Sequence, residues 1–403
     1  MKISNILLCS FLSLTACGRN SESKLDFASG EHVLIGNAAF KKVLAEANLS
    51  DIPASIRRAD GKFDFTYGEL VAFGGDLYRT PEDLDQDTYT QSWKTPLANN
   101  INGAREIFAG ELDNIQEQID SGKLDYKDNN IPFLAAFPSS YVSLAENNVD
   151  HFGWYNGKAY VKYHQAALDL ALKANQSSAP EKIDLLRRAL LTNAFADHFL
   201  TDGFASGHIR VPRTQSLQWG QKNGVNSKAI GGINKFLHDN DHTYATTKGL
   251  LVTNARGDEW RTRSDGQLAV ASRLEDQNIA LPIEAVELSL KELLSAYKDN
   301  QLPSSTFAAM NIVPWVSPKE DSLVATFPAD LASDKLVPML ARIGIIWKLG
   351  VFFDFNENTA RKYLGQLPSI MQQFQSDVRR ESIDPVLQKT LPASYIEAYR
   401  NVR

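Results

Sequence analysis

The sequence predicts a mainly α-helical protein that carries one small β-hairpin between its helices. Apolar residues recur at three- and four-residue spacing over most of the chain, which is typical of helices that bury one face. A β-branched and aromatic pattern on both sides of the turn-forming segment 254–258 predicts the hairpin. The chain shows no internal repeat and no low-complexity stretch, so a single multi-helix architecture is expected.

The helical segments follow one another along the chain. The segment 158–173 is amphipathic, and Asn156-Gly157 before it predicts a break. In the next helix, 181–202, the apolar positions from Ile183 onward fall near one face. After the hairpin, helical patterns return at 283–297, 335–351, 357–374 and 384–399. The strongly apolar segment 340–353 is too short to span a membrane, and it predicts a buried core helix rather than a membrane-surface helix.

The N-terminus predicts export. A basic start at Lys2 and an apolar run at 6–14 are typical of a signal peptide. The run ends in Leu14-Thr15-Ala16-Cys17-Gly18, which resembles the lipobox of bacterial lipoproteins. This resemblance implies cleavage before Cys17 and lipidation of that cysteine; the alternative is an ordinary signal peptide cut near Ala16. Gly18 is not the aspartate that retains many lipoproteins at the inner membrane, which favours an outer-membrane anchor in the bacterial envelope.

Composition limits both the possible sources of stability and the possible classes of function. The chain has only two cysteines, and Cys9 would leave with the signal, so a disulfide framework is excluded and stability must come from a large core or from bound metal. The net charge of −6 argues against a general nucleic-acid binder, because such proteins usually carry basic surfaces.

The strongest signal for a metal site lies at the end of the 181–202 helix. His198 and Asp202 are four residues apart, so on a helix they lie one above the other and can bind one cation. Gly203 and Gly207 permit a turn that can bring His208 back to the same cavity. The competing interpretation is a helix end at which Asp202 merely precedes a glycine stop.

Histidine is scarce, and its distribution supports the metal interpretation. Six of the seven histidines lie in motifs that can bind metal, whereas His164, inside an amphipathic helix, is predicted to be a core or surface residue. The six are His32, His151, His198, His208, His238 and His242.

These motifs resemble those of the bacterial zinc-dependent phospholipases C, which share a fold with fungal zinc nucleases specific for single strands. His198, Asp202 and His208 keep the family spacing His-x3-Asp-x5-His. Three further segments match in family order: the helix beginning at His32, Asp76 in Gly74-Gly75-Asp76-Leu77-Tyr78-Arg79-Thr80-Pro81, and His151 followed by Asn156-Gly157-Lys158-Ala159-Tyr160. His238 occupies the place of the histidine that follows the signature, so the matches extend from residue 32 to about 242.

The resemblance implies a cluster of two to three zinc ions. Asp76, His151, His198 and Asp202 would hold the first ion. The second would take His208, His238 and a further acidic or imidazole partner, for which Asp241 and His242 are both candidates. The third would take His32 and a bridging Asp202. Asp76 would also act as general base, orienting a metal-bound water toward phosphorus.

The chain departs from the family at three positions. The family's N-terminal amine, a ligand of the third metal, has no counterpart if Cys17 is acylated at the end of a tether. The family places Glu or Asp where His242 stands, which leaves Asp241 and His242 as alternatives. Asn148 stands where choline-preferring members carry an aromatic residue, so no head-group preference follows.

The predicted organisation is a lipoprotein signal peptide at 1–17, a flexible tether at 18–31, a zinc hydrolase domain at 32–300 and a helical C-terminal extension of unknown role at 301–403. The predicted function is phospholipase C activity on glycerophospholipids at a membrane surface, with no nucleic acid or protein partner. Arg210 and Arg213 are candidate phosphate-binding residues, because guanidinium groups suit phosphate oxygens. The alternatives are a single-strand nuclease or other phosphodiesterase on the same scaffold, and a non-catalytic metal-binding envelope lipoprotein.

Overall fold

The computed structural model describes residues 29–47, 52–86, 101–124, 148–227, 229–231, 233–234, 237–238, 249–270, 277–320 and 357–402. Several predictions fall outside these ranges: the signal peptide with Cys17, most of the tether, the helix at 335–351, the apolar segment 340–353, and both Asp241 and His242. The described part of the chain is mainly α-helical, as the sequence predicts.

The helices in the described residues include α1 Ser29–Ala47, α2 Tyr67–Phe73, α3 Pro81–Gln86, α4 Ile101–Ser121, α5 Trp154–Gln176, α6 Glu181–Asp202, α7 Arg213–Asn223, α8 Gln277–Asp299, α9 Glu357–Glu381, α10 Pro385–Thr390 and α11 Ala393–Arg400. The helices α5 and α6, joined by a short connection, pack along their whole length. The helices α1, α2 and α8 pack around this pair. From Leu185 to its end, α6 is buried almost continuously, so it is the central element of the core.

Two predicted boundaries differ from the structure. Asn156 and Gly157 do not break the chain but lie inside α5, because both are buried and Gly157 lets Tyr395 approach the helix closely. Residues 29–31, assigned to the flexible tether, form the first turn of α1, and Glu31 in that turn is buried. Tertiary contacts override the local signal of polar and small residues at both places.

The predicted hairpin is confirmed. Strands β3 Leu250–Thr253 and β4 Glu259–Thr262 pair antiparallel, with Val252 opposite Trp260. A third strand, β5 Trp315–Val316, pairs with the other edge of β3 and was not predicted. A second small hairpin, β1 Ile56–Arg57 with β2 Asp64–Phe65, was also missed; strands of two residues give almost no periodic signal.

The described part of the predicted C-terminal extension belongs to the same core. The side chain of Gln215 in α7 donates to Asp377 in α9 (2.7 Å), and Tyr399 in α11 donates to the carbonyl of Ile209 (2.9 Å). The helix predicted at 384–399 is two helices, α10 and α11, because Pro392 cannot continue the first one. Within the described residues, no helix is both long enough and apolar enough to cross a membrane.

The close contact between Gly157 and Tyr395 predicts that one added methyl group at position 157 lowers stability. A Cβ at Gly157 would lie 2.6 Å from the hydroxyl oxygen of Tyr395. We expect Gly157→Ala to lower the free energy of unfolding by about 1–3 kcal/mol, since overpacking forces side chains off their preferred positions. Denaturant unfolding checks the value.

Gly110→Ala in α4 is the matched control. No atom lies within 4 Å of its added Cβ, so the substitution should leave stability unchanged or raise it by about 0.5–1 kcal/mol, the helix advantage of alanine. Equal effects of the two substitutions would contradict the packing of α11 on α5.

Candidate metal centre

Eight side chains converge at one end of the α5–α6 pair, although they come from segments spread over more than two hundred positions of the chain. They are His32 in α1, Asp76 after α2, His151 in a 3-10 turn before α5, His198 and Asp202 in the last turns of α6, His208 in the following 3-10 turn, His238, and Asp265 after β4. All are buried except His32, which is partly exposed.

The first group of candidate ligands is Asp76, His151 and His198. Nδ1 of His151 lies 3.2 Å from Nε2 of His198. The two carboxylate oxygens of Asp76 lie 3.8 Å from these nitrogens, one from each. The ligand atoms of the three residues lie within 4.8 Å of one another, so a single cation can contact all of them.

Asp202 lies at the centre of the site. Its Oδ2 is 2.9 Å from Nδ1 of His151 and 3.6 Å from Nε2 of His198, and its Oδ1 is 3.5 Å from Nε2 of His32. Asp202, His32 and His198 form the second group. Oδ2 is buried and accepts no well-aligned hydrogen bond from the described residues. A buried carboxylate oxygen in that state is costly unless a cation compensates it.

The third group is His208, His238 and Asp265. Oδ2 of Asp265 lies 3.0 Å from Nε2 of His238 and 3.4 Å from Nε2 of His208. The sequence did not identify Asp265, because it follows the hairpin and lies 57 positions beyond His208. The local sequence shows only an acidic residue followed by Gly266, three positions after the end of β4. Asp265 is the carboxylate of this group among the described residues, and the candidates Asp241 and His242 lie outside them.

Hydrogen bonds fix the orientation of three imidazoles. Nδ1 of His198 donates to the carbonyl of Val71 (2.9 Å), and Nδ1 of His208 donates to the carbonyl of His151 (3.0 Å). Nδ1 of His32 donates to the hydroxyl of Thr201 (2.7 Å), since that hydroxyl already donates to a backbone carbonyl of α6. Each of these histidines therefore turns its Nε2 toward a carboxylate, the arrangement that protein metal sites use to orient histidine ligands.

The donor set fits a divalent cation. Burial lowers the pKa of His32 and of His198, so their Nε2 atoms are unprotonated acceptors that face acceptor oxygens. Such contacts are repulsive until a cation lies between them. Tetrahedral bonding with Zn–N and Zn–O distances near 2.1 Å separates ligand atoms by about 3.4 Å, a value inside the 2.9–3.8 Å range between neighbouring candidate ligand atoms in the three groups. Together the buried His and Asp clusters can hold metal ions.

The carboxylates differ in their electrostatic environment. Burial, followed by the charge of Asp202, raises the pKa of Asp76 well above its usual range. Burial opposes ionisation of Asp202 and Asp265 as well, but the surrounding imidazoles outweigh it and lower the pKa of both. Burial and the charge of Asp265 raise the pKa of Glu31, next to His32, to about 8.

Two glycines make room for the histidine rings. Gly75 has φ +68°, and a Cβ there would lie 2.7–2.9 Å from atoms of His198 and His151. A Cβ at Gly207 would lie 2.5 Å from the ring of His238. Positive φ and this crowding both require glycine at position 75. The predicted turn through Gly203 and Gly207 is confirmed, since it brings His208 within 4.0 Å of Asp202.

Arg210 and Arg213 are both buried close to the centre. The guanidinium of Arg213 lies over the ring of Phe152, 5.0 Å from its centroid, and Phe152 stacks on His208. Burial lowers the pKa of Arg213 to about 10, while the charge of Asp76 acts to raise it. Arg213 therefore stays charged at neutral pH and interacts with the Asp76 carboxylate.

His164 is a core residue, as predicted. Its Nε2 lies 3.0 Å from Glu292 and its Nδ1 lies 2.6 Å from the amide oxygen of Asn193. Ser289 is 3.4 Å from the same Nδ1, but its hydroxyl is buried and donates to Asp197 (2.7 Å). His164 and Ser289 are buried while Glu292 is partly exposed, and the contacts of this Ser-His-Glu arrangement join α5, α6 and α8, so it is structural.

Comparisons of the chain with protein-family models, with curated proteins and with solved structures found no match.

The site geometry predicts that Gly75→Ala disrupts cation binding. The added Cβ would collide with His151 and His198, so we expect the content of bound divalent metal to fall by at least one ion per chain. Metal analysis after dialysis against trace zinc measures this.

Gly122→Ala is the matched control, because φ is +65° there and no atom lies within 4 Å of the added Cβ. Both substitutions impose similar backbone strain. Equal metal contents in the two variants would argue against cations at His151 and His198.

Proposed function

We propose that this chain is a zinc-dependent phospholipase C, which hydrolyses the glycerol–phosphate ester of glycerophospholipids to diacylglycerol and a phosphorylated head group. The observation that carries the proposal is the orientation of His32, His198 and His208, whose Nε2 atoms are aimed at carboxylates in a buried pocket. Histidine nitrogen and carboxylate oxygen together are a typical zinc ligand set.

The proposed ligands are the three groups described above, with zinc as their metal. Bound zinc ions would supply positive charge to phosphate oxygens and lower the pKa of water. Several cations close together suit the in-line displacement at a phosphodiester. The ordered sequence matches to the zinc-dependent phospholipases C agree with this choice, and they select phosphate esters among the substrates of hydrolytic zinc sites.

Asp76 is the proposed general base. Its carboxylate lies beside both histidines of the first group, and burial favours its taking up a proton. A carboxylate oxygen beside a metal-bound water would orient that water and accept its proton. His151 and His198 lie on either side of the Asp76 carboxylate, each 3.8 Å from one of its oxygens, and Gly75 brings the backbone close to both rings.

Arg213 is proposed to bind the phosphate. Its guanidinium is held on Phe152, which keeps a planar fork in one orientation. A fixed fork loses little entropy when it pairs with two phosphate oxygens. Arg210 is the second candidate for this role.

Export and a lipid anchor at Cys17 complete the proposal. An anchored enzyme would remain beside its phospholipid substrate at the surface of the bacterial envelope, which an outer-membrane location would provide.

A lipid-panel assay combined with metal analysis tests the function. We expect two to three zinc equivalents per chain and release of phosphorylcholine or phosphorylethanolamine from phospholipid vesicles, abolished by chelation and restored by zinc. Activity on single-stranded DNA alone would establish the nuclease, and bound zinc without either activity would establish a non-catalytic metal protein. Activity that survives exhaustive chelation would refute the metal mechanism.

Replacing the proposed base separates chemistry from binding. Asp76→Asn keeps the shape and one oxygen ligand but loses the proton acceptor, so we expect turnover to fall by about 100-fold or more with most zinc retained. Asp85→Asn, at a buried aspartate paired with Arg187, should leave turnover within about twofold. Unimpaired turnover in Asp76→Asn would rule out its role as base.

Replacing Arg213 tests phosphate recognition. Arg213→Lys preserves the charge and removes the fork, so kcat/KM for phospholipid should fall about tenfold while zinc content stays unchanged. Arg58→Lys controls for the loss of a buried guanidinium, because Arg58 is buried beside β1 and pairs with Asp60. Similar kinetics in the two variants would exclude a phosphate contact at Arg213.

A further inference from the structure

Glu31 holds the loop that carries Asp265. Its carboxylate accepts three backbone N–H groups of that loop: from Gly266 on Oε2 (2.9 Å), and from Leu268 (2.7 Å) and Ala269 (3.3 Å) on Oε1. Glu31 is 4 % exposed, and the three residues that donate are buried as well. Three buried amides therefore depend on one side chain from a helix 235 or more positions away in sequence.

The carboxylate of Glu31 is an anchor rather than a candidate ligand. Both of its oxygens are used by backbone amides, whereas the oxygens of Asp202 and Asp265 face imidazole nitrogens. Because Gly266 directly follows Asp265, the bond at Gly266 fixes the peptide unit from which the Asp265 side chain extends. Without Glu31, the three amides would have to find other acceptors in a water-poor environment.

The same turn of α1 carries both Glu31 and His32. His32 turns its Nε2 toward Asp202, while Glu31 sets the loop of Asp265. Among the described residues, the group around Asp202 and the group formed by His208, His238 and Asp265 share no candidate ligand. Helix α1 links the two groups, because one of its turns contacts both.

We propose that Glu31 is a positioning residue that holds Asp265 against His208 and His238, so that cation binding by this third group depends on helix α1. The inference rests on the proposed metal centre. It assigns Glu31 no contact with the cation: the residue acts through the backbone of 266–269.

Glu31→Gln is the decisive substitution. Glutamine has nearly the same shape as glutamate, but its amide nitrogen is a donor. It would replace one of the two acceptor oxygens that the backbone N–H groups of the loop contact. Zinc is titrated into the chelator-stripped full chain against a chromophoric competitor that resolves classes of site. We expect the zinc affinity of one class of site to fall by roughly 10- to 100-fold, the range known for residues that orient metal ligands. The affinity of the other class should stay within about twofold of the value for the unaltered protein.

Glu111→Gln is the matched control. Glu111 is fully buried and accepts the N–H of Gly30 (2.6 Å), so it holds the same turn of α1, and it does so from α4. Both zinc classes should stay within about twofold in this variant. Metal-free melting temperature and far-ultraviolet circular dichroism, compared between the two glutamine variants, check that both fold equally well.

A double-substitution cycle tests whether Glu31 acts through Asp265. Asp265→Asn should abolish the affected zinc class, and adding Glu31→Gln to it should change the remaining class by less than about twofold. In an Asp76→Asn background, Glu31→Gln should keep its full effect, because Asp76 belongs to the other group.

The outcomes separate the two proposals. If the unaltered protein binds no zinc, the metal centre fails and the role of Glu31 fails with it. If the unaltered protein binds zinc but Glu31→Gln behaves like Glu111→Gln, weakens both classes equally or adds to Asp265→Asn, the positioning role alone is overturned.

Discussion

The constraint on which this structure depends is a surplus of hydrogen-bond acceptors in a place without water. Asp76 and Asp202 are buried beside His32 and His198, whose unprotonated Nε2 atoms face their carboxylate oxygens. Burying such groups costs several kcal/mol per ion unless opposite charge compensates them. Bound cations satisfy this requirement directly, whereas hydrogen bonds among the described residues leave Oδ2 of Asp202 without a well-aligned donor.

Helix α6 makes this concentration of charge possible. Its C-terminal part is fixed by the buried side chain of Asp197, which accepts hydrogen bonds from Tyr67 in α2, from Ser289 in α8 and from Asn193 within α6 itself. The next residue, His198, and Asp202, one turn after His198, reach the centre of the site. A rigid helix held on several sides can present repelling groups at fixed positions, which a loop cannot do without rearranging. The cost of the site is thus offset by the packing of the core around it.

How much of this site the sequence predicts depends on how local each relation is. His198, Asp202 and His208 follow from helical spacing and a glycine turn, and these relations span eleven residues. Asp265 and Glu31 cannot be found in that way, because their partners are fixed by the packing of distant helices. The same holds for Gly157, whose role inside α5 is set by Tyr395 from the far end of the chain. The mainly helical class and the β3–β4 hairpin are local properties, and both were predicted.

The described ligands also bear on the number of cations. His198 has one free nitrogen, because its Nδ1 donates to Val71, yet it belongs to two of the three candidate groups. Its single free nitrogen can bind one cation only. If that cation is bound by Asp76 and His151, the group around Asp202 keeps only His32 and one oxygen of Asp202 as ligands. Charge leads to the same result: two divalent cations already exceed the charge of the three carboxylates by one, and the buried guanidinium of Arg213 adds a further positive charge. A third cation would leave a larger charge in a buried pocket and is favourable only with a further anionic ligand. Among the described residues, the arrangement therefore favours two cations over three.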